Sequence, residues 1–244
     1  MRDDDRVPLL LKEGYDQGVQ VADDPIVWVV DNFVSAEECL HVLELAEHRM
    51  NDALVSRLGS NSASEKRTGQ VSWVRHDETP MVRGLVRRVG EFVGVQPSHS
   101  ENLQVIHYAE TQEYRPHFDA WDVNTAKGRE KTSKGGNRAL TALIYLNEVA
   151  GGGGTAFPKL GLEIDAQPGR MVIFHNLYEG ESVRHRNSLH GGLPVAEGEK
   201  WACNLWFREH RYQAGGGSAR TGGGQPENRA SRRKAQRQSR KRNR

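Results

Sequence analysis

Two side chains of the segment His117-Phe118-Asp119 are of types that bind metal ions. Side chains two positions apart in an extended segment point to the same face, so this imidazole and this carboxylate become neighbours. His190 would add a third ligand from a distant strand. Two histidines and one carboxylate on one face of an octahedron leave three positions open, which is the donor set of non-haem Fe(II) sites. The pattern therefore predicts a metal centre that can hold a bidentate co-substrate and O2 together.

The choice of the third ligand has alternatives, because the sequence contains ten histidines. His107, His175 and His185 compete with His190 for this role. His107 alternates with Tyr108 along a predicted strand, so at least one of these two side chains faces away from the site. The H-x-D pattern alone is weak evidence, since such tripeptides are common and usually lie on a solvated surface.

Lys200 strengthens the prediction of a metal site. It follows His190 after a segment rich in glycine and proline, which is typical of a turn between two strands. At the start of the next strand, its ammonium group could pair with the distal carboxylate of 2-oxoglutarate while the 2-oxo acid end chelates the metal. With a period of two, Asn204 and Trp206 share its face and would form a pocket wall. The alternative is a lysine exposed at the edge of a turn.

The elements that must position these residues begin with helices. Helix 36–50 is predicted from an apolar face behind a capping-box pattern, in which Ser35 is the N-cap and Glu38 reaches back. Helix 80–93 has a second apolar face, with Pro80 at its first position. Residues 51–70 between them are polar and typical of a mobile loop.

The remaining elements are predicted to be strands. Residues 25–30 have strand composition, whereas residues 1–24 are polar without sustained periodicity and indicate a loose lead-in. From residue 103 onward, short segments rich in β-branched and aromatic residues are separated by glycine, proline and asparagine, which favours a sandwich or barrel. These strands are predicted at 103–108, 139–146, 170–175 and 201–208.

The end of the chain differs in composition from the rest. Residues 214–244 carry ten lysines and arginines and one acid, Glu227, although the whole chain has a net charge of only +2. Two runs of three glycines precede the basic segment and indicate a flexible linker. The basic tail is predicted to be disordered when free, and it is either a solubilising terminus or a weak, non-specific contact to nucleic acid.

Several motifs, which follow one another in the same order along the second half of the chain, resemble the catalytic domain of prolyl 4-hydroxylases. These enzymes are Fe(II)- and 2-oxoglutarate-dependent oxygenases. LQVIHY at 103–108 and YRPHFD at 114–119 resemble the region around that family's first two iron ligands. Its next strands are similar to RALTALIYLN at 138–147 and GGTAFP at 153–158. Its last strands are similar to PGRMVIF at 168–174, SLH at 188–190 and GEKWACNLW at 198–206. The resemblance covers about residues 25–210.

The resemblance implies roles for individual residues. His117, Asp119 and His190 would hold Fe(II), and Lys200 would bind the 2-oxoglutarate carboxylate with help from Tyr108 and Thr155. It also implies that Trp206 lines the co-substrate pocket and that two residues face a peptide groove, Tyr114 and Arg138. Together with Tyr114, Trp73 and Trp121 either shape an aromatic groove for an extended proline-containing peptide or pack in the core.

The resemblance also implies the fold, the cofactors and the substrate. The fold expected is mainly β with supporting N-terminal helices, a double-stranded β-helix (jelly roll). Fe(II), 2-oxoglutarate and O2 are the expected cofactors, with ascorbate as a further candidate. The predicted reaction is hydroxylation of peptidyl proline with release of succinate and CO2. Two alternatives stay open: a related oxygenase acting on another residue or a small molecule, and a non-catalytic jelly-roll adaptor that uses the basic tail.

Three departures from the family pattern concern the substrate rather than the iron site. Arg67-Thr-Gly69 resembles a loop that folds over the peptide, but its third residue is glycine. Four glycines at 151–154 replace a more mixed turn, and Arg208 stands where some relatives carry histidine.

The predicted organisation has three parts. A lead-in at 1–24 precedes the dioxygenase domain at 25–212, with helical support at 25–100 and a jelly-roll core at 101–212. The linker and tail occupy 213–244. No secretory signal or membrane span is recognisable, and only two cysteines occur, which favours a reducing, cytoplasmic location without a membrane partner.

Overall fold

Two facing antiparallel sheets, with helices packed outside the larger one, form the described part of the protein. The computed structural model describes residues 12, 14–52 and 68–212. Most of the loop predicted at 51–70, including Arg67, lies outside the described residues, as does the tail predicted at 213–244. Within the described residues, no helix combines the length and apolarity needed to cross a membrane.

The helices are α1 (Ala36–Glu47), α2 (Pro80–Val93) and α3 (Ala126–Thr132), with a 3-10 turn at Pro97–His99. The strands are β1 (Val19–Asp23), β2 (Ile26–Val30), β3 (Asn51–Asp52), β4 (Gln70–Val74), β5 (Leu103–Tyr108), β6 (Tyr114–His117), β7 (Arg138–Tyr145), β8 (Gly151–Gly152), β9 (Thr155–Phe157), β10 (Leu162–Ile164), β11 (Met171–His175), β12 (His190–Gly192), β13 (Val195–Glu197) and β14 (Lys200–Arg208).

The sheets have the strand order expected of a jelly roll. The larger sheet has eight strands in the order β1-β2-β11-β7-β14-β5-β4-β3, and the smaller one has four in the order β10-β9-β12-β6. A short pair, β13-β8, adds a third ladder. Crossovers place β11, β7, β14 and β5 side by side in the larger sheet, and β9, β12 and β6 in the smaller one, so strands distant in sequence meet around the site. The predicted fold class is confirmed.

Alternation along the strands of the larger sheet divides the core into two layers. Along β7, Leu140, Ala142 and Ile144 belong to the layer that contains buried residues of α1 and α2. The intervening Leu143 and Tyr145 belong to the layer between the sheets. Because successive side chains of a strand point to opposite faces, β7 supports the helices on one side and the site on the other.

The two predicted helices form for the reasons that the sequence indicates. The Ser35 hydroxyl accepts a hydrogen bond from the Glu38 amide, and the Glu38 carboxylate accepts one from the Ser35 amide, which completes the capping box. Helix α2 starts at Pro80 and stops at Gly94, whose φ of 74° is the left-handed conformation typical of a helix C-cap. Both predictions are confirmed, except that α1 ends at Glu47 rather than at residue 50.

The prediction of a loose lead-in over residues 1–24 is wrong for its described C-terminal part. Strand β1 pairs with β2, with Val19 opposite Val29. Tyr15 is only 2% exposed and belongs to the helix-side core. Strand β1 is an edge strand exposed on both faces, so it lacks the apolar alternation by which a strand is recognised.

Candidate functional site

The smaller sheet brings the two predicted histidine ligands together. His117 is the last residue of β6 and His190 the first of β12, and the two are direct partners in the antiparallel ladder. Their ring centroids lie 4.4 Å apart. Asp119 lies just beyond the end of β6. One possible ligand atom from each of these three residues falls within 4.8 Å of the others.

Backbone contacts fix which nitrogen of each imidazole points to the site. Nδ1 of His117 lies 3.1 Å from the Arg115 carbonyl oxygen, and Nδ1 of His190 lies 2.9 Å from that of Ser188. A carbonyl only accepts, so each Nδ1 carries the proton and each Nε2 keeps its lone pair. Partners of this kind orient histidines that bind metals.

The two oxygen atoms of the Asp119 carboxylate have different partners. Oδ2 accepts hydrogen bonds from the Thr141 hydroxyl at 2.7 Å and from the Trp206 indole nitrogen at 2.8 Å. Oδ1 lies 3.7 Å from Nε2 of His117, and Oδ2 lies 3.6 Å from Nε2 of His190. With Oδ2 occupied by two donors, Oδ1 is the oxygen left for a metal.

The protonation states also suit a cation. Burial favours a neutral carboxyl, but the neighbouring imidazoles and the Arg138 guanidinium favour the anion, and the pKa of Asp119 lies well below its usual range. Burial lowers the pKa of His190 to about 4. At neutral pH the site therefore presents a carboxylate and a neutral imidazole, which are the forms that bind metals. The donor set of two imidazoles and one carboxylate fits Fe(II).

Aromatic rings enclose the two imidazoles. The ring of Tyr114 stacks on His117 with centroids 3.6 Å apart. Phe174 lies 4.5 Å and Phe157 5.7 Å from the His190 ring, centroid to centroid. These rings limit movement of the ligands and keep water from one side of the site. The sequence-based expectation that Tyr114 faces substrate stays a prediction.

Lys200 occupies a separate buried pocket. It is the first residue of β14 and pairs with Tyr108 of β5. Lys200 is buried, with only 2% of its surface exposed. Nζ lies 3.4 Å from the Gly154 carbonyl oxygen and 5.1 Å from the centre of the Tyr145 ring. The Tyr145 hydroxyl is 2.7 Å from that of Thr155. The structure thus brings together the three residues predicted to bind 2-oxoglutarate, and their role stays a prediction.

The ammonium group of Lys200 is suited to receive an anion. Within the described residues it forms no ion pair with an acid. Burial lowers its pKa to about 7. A carboxylate brought into this pocket would restore the favourable charge pairing that the protein itself does not supply.

Two glycines border the Lys200 side chain. A Cβ atom at Gly192 would lie 3.7 Å from Nζ of Lys200, and one at Gly153 would lie 3.5 Å from its Cδ atom. Gly192 is two residues after the candidate ligand His190 on β12, so the pocket and the triad share a strand. In the turn at 151–154, glycine is favoured at Gly152 and Gly153 because their φ angles are 70° and 68°.

Arg138 lies beneath the site rather than open to solvent. It forms two hydrogen bonds to the Glu101 carboxylate, of 2.7 and 2.9 Å. Its guanidinium carbon is 3.4 Å from the centre of the Trp206 ring. Arg208 donates to the same carboxylate at 2.6 Å. Arg138 thus has partners inside the protein, and its expected contact with a peptide stays a prediction.

Trp206 has a role that the sequence did not indicate. It was expected to line the co-substrate pocket, but its indole nitrogen donates to Asp119. Its ring lies 3.4 Å from the Arg138 guanidinium carbon and 6.1 Å, centroid to centroid, from the partly exposed ring of Trp73. Lining of the co-substrate pocket by this residue stays a prediction.

The three alternative histidines are engaged elsewhere. His107 contacts Glu199 at 2.8 Å, and Nε2 of His185 contacts Asp24 at 2.8 Å. His175 lies 3.0 Å from the Tyr15 hydroxyl. Among the described residues, only His117, Asp119 and His190 form a group that could hold a metal.

Sequence reasoning missed several residues that support the site, among them Thr141, Tyr145 and Glu101. Alternation along β7 places Thr141 and Tyr145 on one face, but only the register with β14, in which Thr141 pairs with Trp206, shows that this face carries the site. Glu101 precedes β5 in a polar segment, and no local signal distinguishes it.

Comparison with known proteins agrees with this geometry. Residues 103–208 match the sequence profile of the 2OG-Fe(II) oxygenase superfamily. The chain is 32% identical over 192 residues to a predicted prolyl 4-hydroxylase of Acanthamoeba polyphaga mimivirus, covering 78% of each chain. It is 30% identical to prolyl 4-hydroxylase 5 of Arabidopsis thaliana, covering 78% of this chain and 70% of that one.

A solved structure shows the same fold. The viral collagen prolyl hydroxylase of Paramecium bursaria Chlorella virus-1, in complex with 2-oxoglutarate, aligns with a TM-score of 0.60 and 26% identity. The alignment covers 77% of this chain and 98% of that one. With the triad and the relatives considered together, this chain belongs to the prolyl 4-hydroxylase-like family of 2OG-Fe(II) oxygenases and is a 2-oxoglutarate-dependent dioxygenase.

Proposed function

We propose that the enzyme hydroxylates proline residues in peptides or proteins, with 2-oxoglutarate converted to succinate and CO2. The observation that carries the proposal is an open cleft along β4, in which the ring of Trp73 lies 6.1 Å, centroid to centroid, from that of Trp206, the donor to Asp119. Arg49, Asp52, Trp73 and Gln104 contribute to its lining. Trp73 is 45% exposed, and an exposed indole offers a flat apolar surface suited to proline rings. Prolyl 4-hydroxylases among the relatives support the same substrate.

The position of the cleft favours an extended substrate. Trp73 is the register partner of Gln104, and Gln104 is the partner of Asn204 on β14. These three side chains lie side by side across the face of the larger sheet that carries Lys200 and Trp206. A peptide lying along this row would reach the metal ligands without burying its ends, whereas a small molecule would not need the row.

The residues of the chain divide the work of such a reaction. His117, Asp119 and His190 would hold Fe(II), and Lys200 would bind the distal carboxylate of 2-oxoglutarate near Tyr108 and Thr155. Bound iron, 2-oxoglutarate and O2 supply the oxidising chemistry. The protein positions the substrate C–H bond and excludes water with the rings of Tyr114, Phe157 and Phe174.

Three further expectations remain proposals. Ascorbate would act as a reductant for the iron, and the basic tail would contact nucleic acid weakly. A cytoplasmic location is supported by Cys39 and Cys203, which are both buried and free.

The test is incubation of the purified protein with Fe(II), 2-oxoglutarate and proline-rich peptides, followed by mass spectrometry. The proposal expects a gain of one oxygen on proline, coupled to succinate formation. The peptide should stay unmodified when the enzyme is the Asp119→Ala variant. A peptide with alanine in place of proline should stay unmodified with the wild-type enzyme. Oxygen found on another residue type, or succinate formed only with a small molecule, would refute the proline assignment and leave the oxygenase intact.

A further inference from the structure

The hydrogen bonds that reach Oδ2 of Asp119 come from two positions that face each other in the larger sheet. Thr141 of β7 and Trp206 of β14 are direct register partners. Both side chains point to the site face, and both donate to this one oxygen. The pair therefore holds the carboxylate over the sheet from two adjacent strands.

The amide of Asn176 agrees with the direction that the Asp119 carboxylate, which can only accept, requires of the Thr141 hydrogen bond. Its Nδ2 atom donates to the Thr141 hydroxyl oxygen at 2.8 Å. A hydroxyl has a single proton, and with its oxygen already accepting from an amide, that proton is available for Asp119 at 2.7 Å. Rotating the amide would place Oδ1 against Thr141 and would draw the proton away from the carboxylate.

The backbone holds Asn176 in this position. It follows β11, its amide nitrogen donates to the Ala139 carbonyl, and its own carbonyl accepts from the amide of His185. Asn176 and Thr141 are both 0% exposed. Within the described residues, Oδ1 of Asn176 has no hydrogen-bond partner, so in this orientation the amide satisfies Thr141 while leaving its own oxygen unpaired.

We propose that Asn176 and Thr141 form a one-way hydrogen-bond relay that positions the iron-binding carboxylate. Asn176 donates to Thr141, Thr141 donates to Oδ2 of Asp119, and Oδ1 is left to the metal. Neither residue touches substrate or metal. Both are positioning residues that act through Asp119.

The first experiment measures Fe(II) binding to the apo-protein by anaerobic calorimetry, without substrate. Thr141→Val keeps the shape of the side chain and removes its donor, and we expect Fe(II) affinity to fall about 10- to 100-fold, as for other residues that orient metal ligands. Thr141→Ser keeps the hydroxyl and should bind Fe(II) like the wild type. Thr132→Val removes a hydroxyl hydrogen bond in α3 and serves as the matched control with unchanged affinity.

A purely structural role for Thr141 predicts a different pattern. Chemical unfolding of the apo-protein would then show lower stability in Thr141→Val, while the folded protein would bind Fe(II) with wild-type affinity. That outcome would overturn the proposal. Because the test uses no peptide, its result does not depend on the proline assignment.

The second experiment tests whether Asn176 acts through Thr141. Asn176→Leu is similar in shape and lacks the donor, so we expect weaker Fe(II) binding than in the wild type. In the Thr141→Val background the same substitution should cause no further loss, because the relay is already broken. Independent, additive losses would contradict the relay. If Asn176→Leu does not fold, the Val and Ser variants of Thr141 still decide whether that hydroxyl positions Asp119.

Discussion

At the residue scale, the reactivity of the site depends on the proton positions of a few buried groups. Nδ1 of His117 and of His190 both donate to backbone carbonyls, so both Nε2 atoms are available to a metal. Oδ2 of Asp119 is occupied by its two donors. The candidate ligand atoms are thus oriented by the protein itself, which would reduce the reorganisation needed for metal binding.

Lys200 gives a testable pH dependence. Its pKa is lowered to about 7 in the free protein, and a bound carboxylate favours the ammonium form, so the pKa rises in the complex. Binding of 2-oxoglutarate above pH 7 must therefore take up a proton, and the affinity should fall as the pH rises. Calorimetry at pH 8 in buffers with different ionisation enthalpies should show uptake of roughly one proton, and almost none at pH 6.

The control for this measurement is Lys159→Met, which removes an exposed lysine and should leave the proton uptake unchanged. Lys200→Met should bind 2-oxoglutarate much more weakly and show no pH-dependent uptake. Equal proton counts at both pH values in the wild type would mean that Lys200 does not pair with the co-substrate.

From the sequence alone, the candidate ligands and Lys200 could be named, but the groups that contact them could not. His117, Asp119 and Lys200 carry their chemistry in their residue types and spacing. Thr141 and Asn176 are ordinary polar residues whose function arises from strand register across the larger sheet. Register between strands far apart in sequence cannot be read from either strand alone.

At the element scale, too, the sequence predicts what local patterns encode and misses what depends on contacts between distant segments. The helices α1 and α2 were predictable because capping residues and an apolar face are local signals. The edge strand β1 has no buried face, and α3 is a short, largely polar helix with only Gly128 buried. Both lack the periodic burial that local patterns detect.

Gly69 immediately precedes β4, and its lack of a side chain lets this end of β4 lie close to β5. A Cβ atom there would meet the His107 carbonyl oxygen and the Tyr108 ring at 2.4 Å. The Gly69→Ala variant should therefore lose about 1–3 kcal/mol of unfolding free energy, since a side chain is forced into packed structure. Displacement of Tyr108 should also weaken 2-oxoglutarate binding. Urea unfolding and calorimetry measure the two effects.

The matched control is Gly84→Ala in α2, where an added Cβ meets nothing within 4 Å. Alanine is the better helix former, so this variant should gain up to about 1 kcal/mol. A Gly69→Ala variant as stable as the wild type would show that β4 can move away from Tyr108, and that the glycine is not required there.

At the scale of the whole molecule, the N-terminal segment is bound to the strands and loops that carry the site. The Tyr15 hydroxyl contacts His175 at the end of β11. Asp24 contacts His185 and Asn187, in the loop that precedes His190. Residues predicted to be a loose lead-in therefore help to hold the segment between β11 and β12.

His175 predicts how stability depends on pH. Burial lowers its pKa from 6.5 to about 4, so between these values the unfolded chain binds a proton that the folded protein does not. Stability should consequently fall as the pH drops through this window, by about 2 kcal/mol at pH 5 from this group. His175→Gln can still accept from Tyr15 and removes the titration, so it should lose less stability between pH 7 and pH 5 than the wild type. Equal losses, measured by urea unfolding of the apo-protein, would exclude His175 as the source.

The central claim is that the triad and the Lys200 pocket together hold iron and 2-oxoglutarate. Its most direct test is the visible absorption spectrum of the anaerobic Fe(II)-loaded protein after addition of 2-oxoglutarate, with His190→Ala as control. We expect a metal-to-ligand charge-transfer band in the wild type and none in the variant. The absence of this band in wild-type protein that is folded and has bound iron would contradict the account.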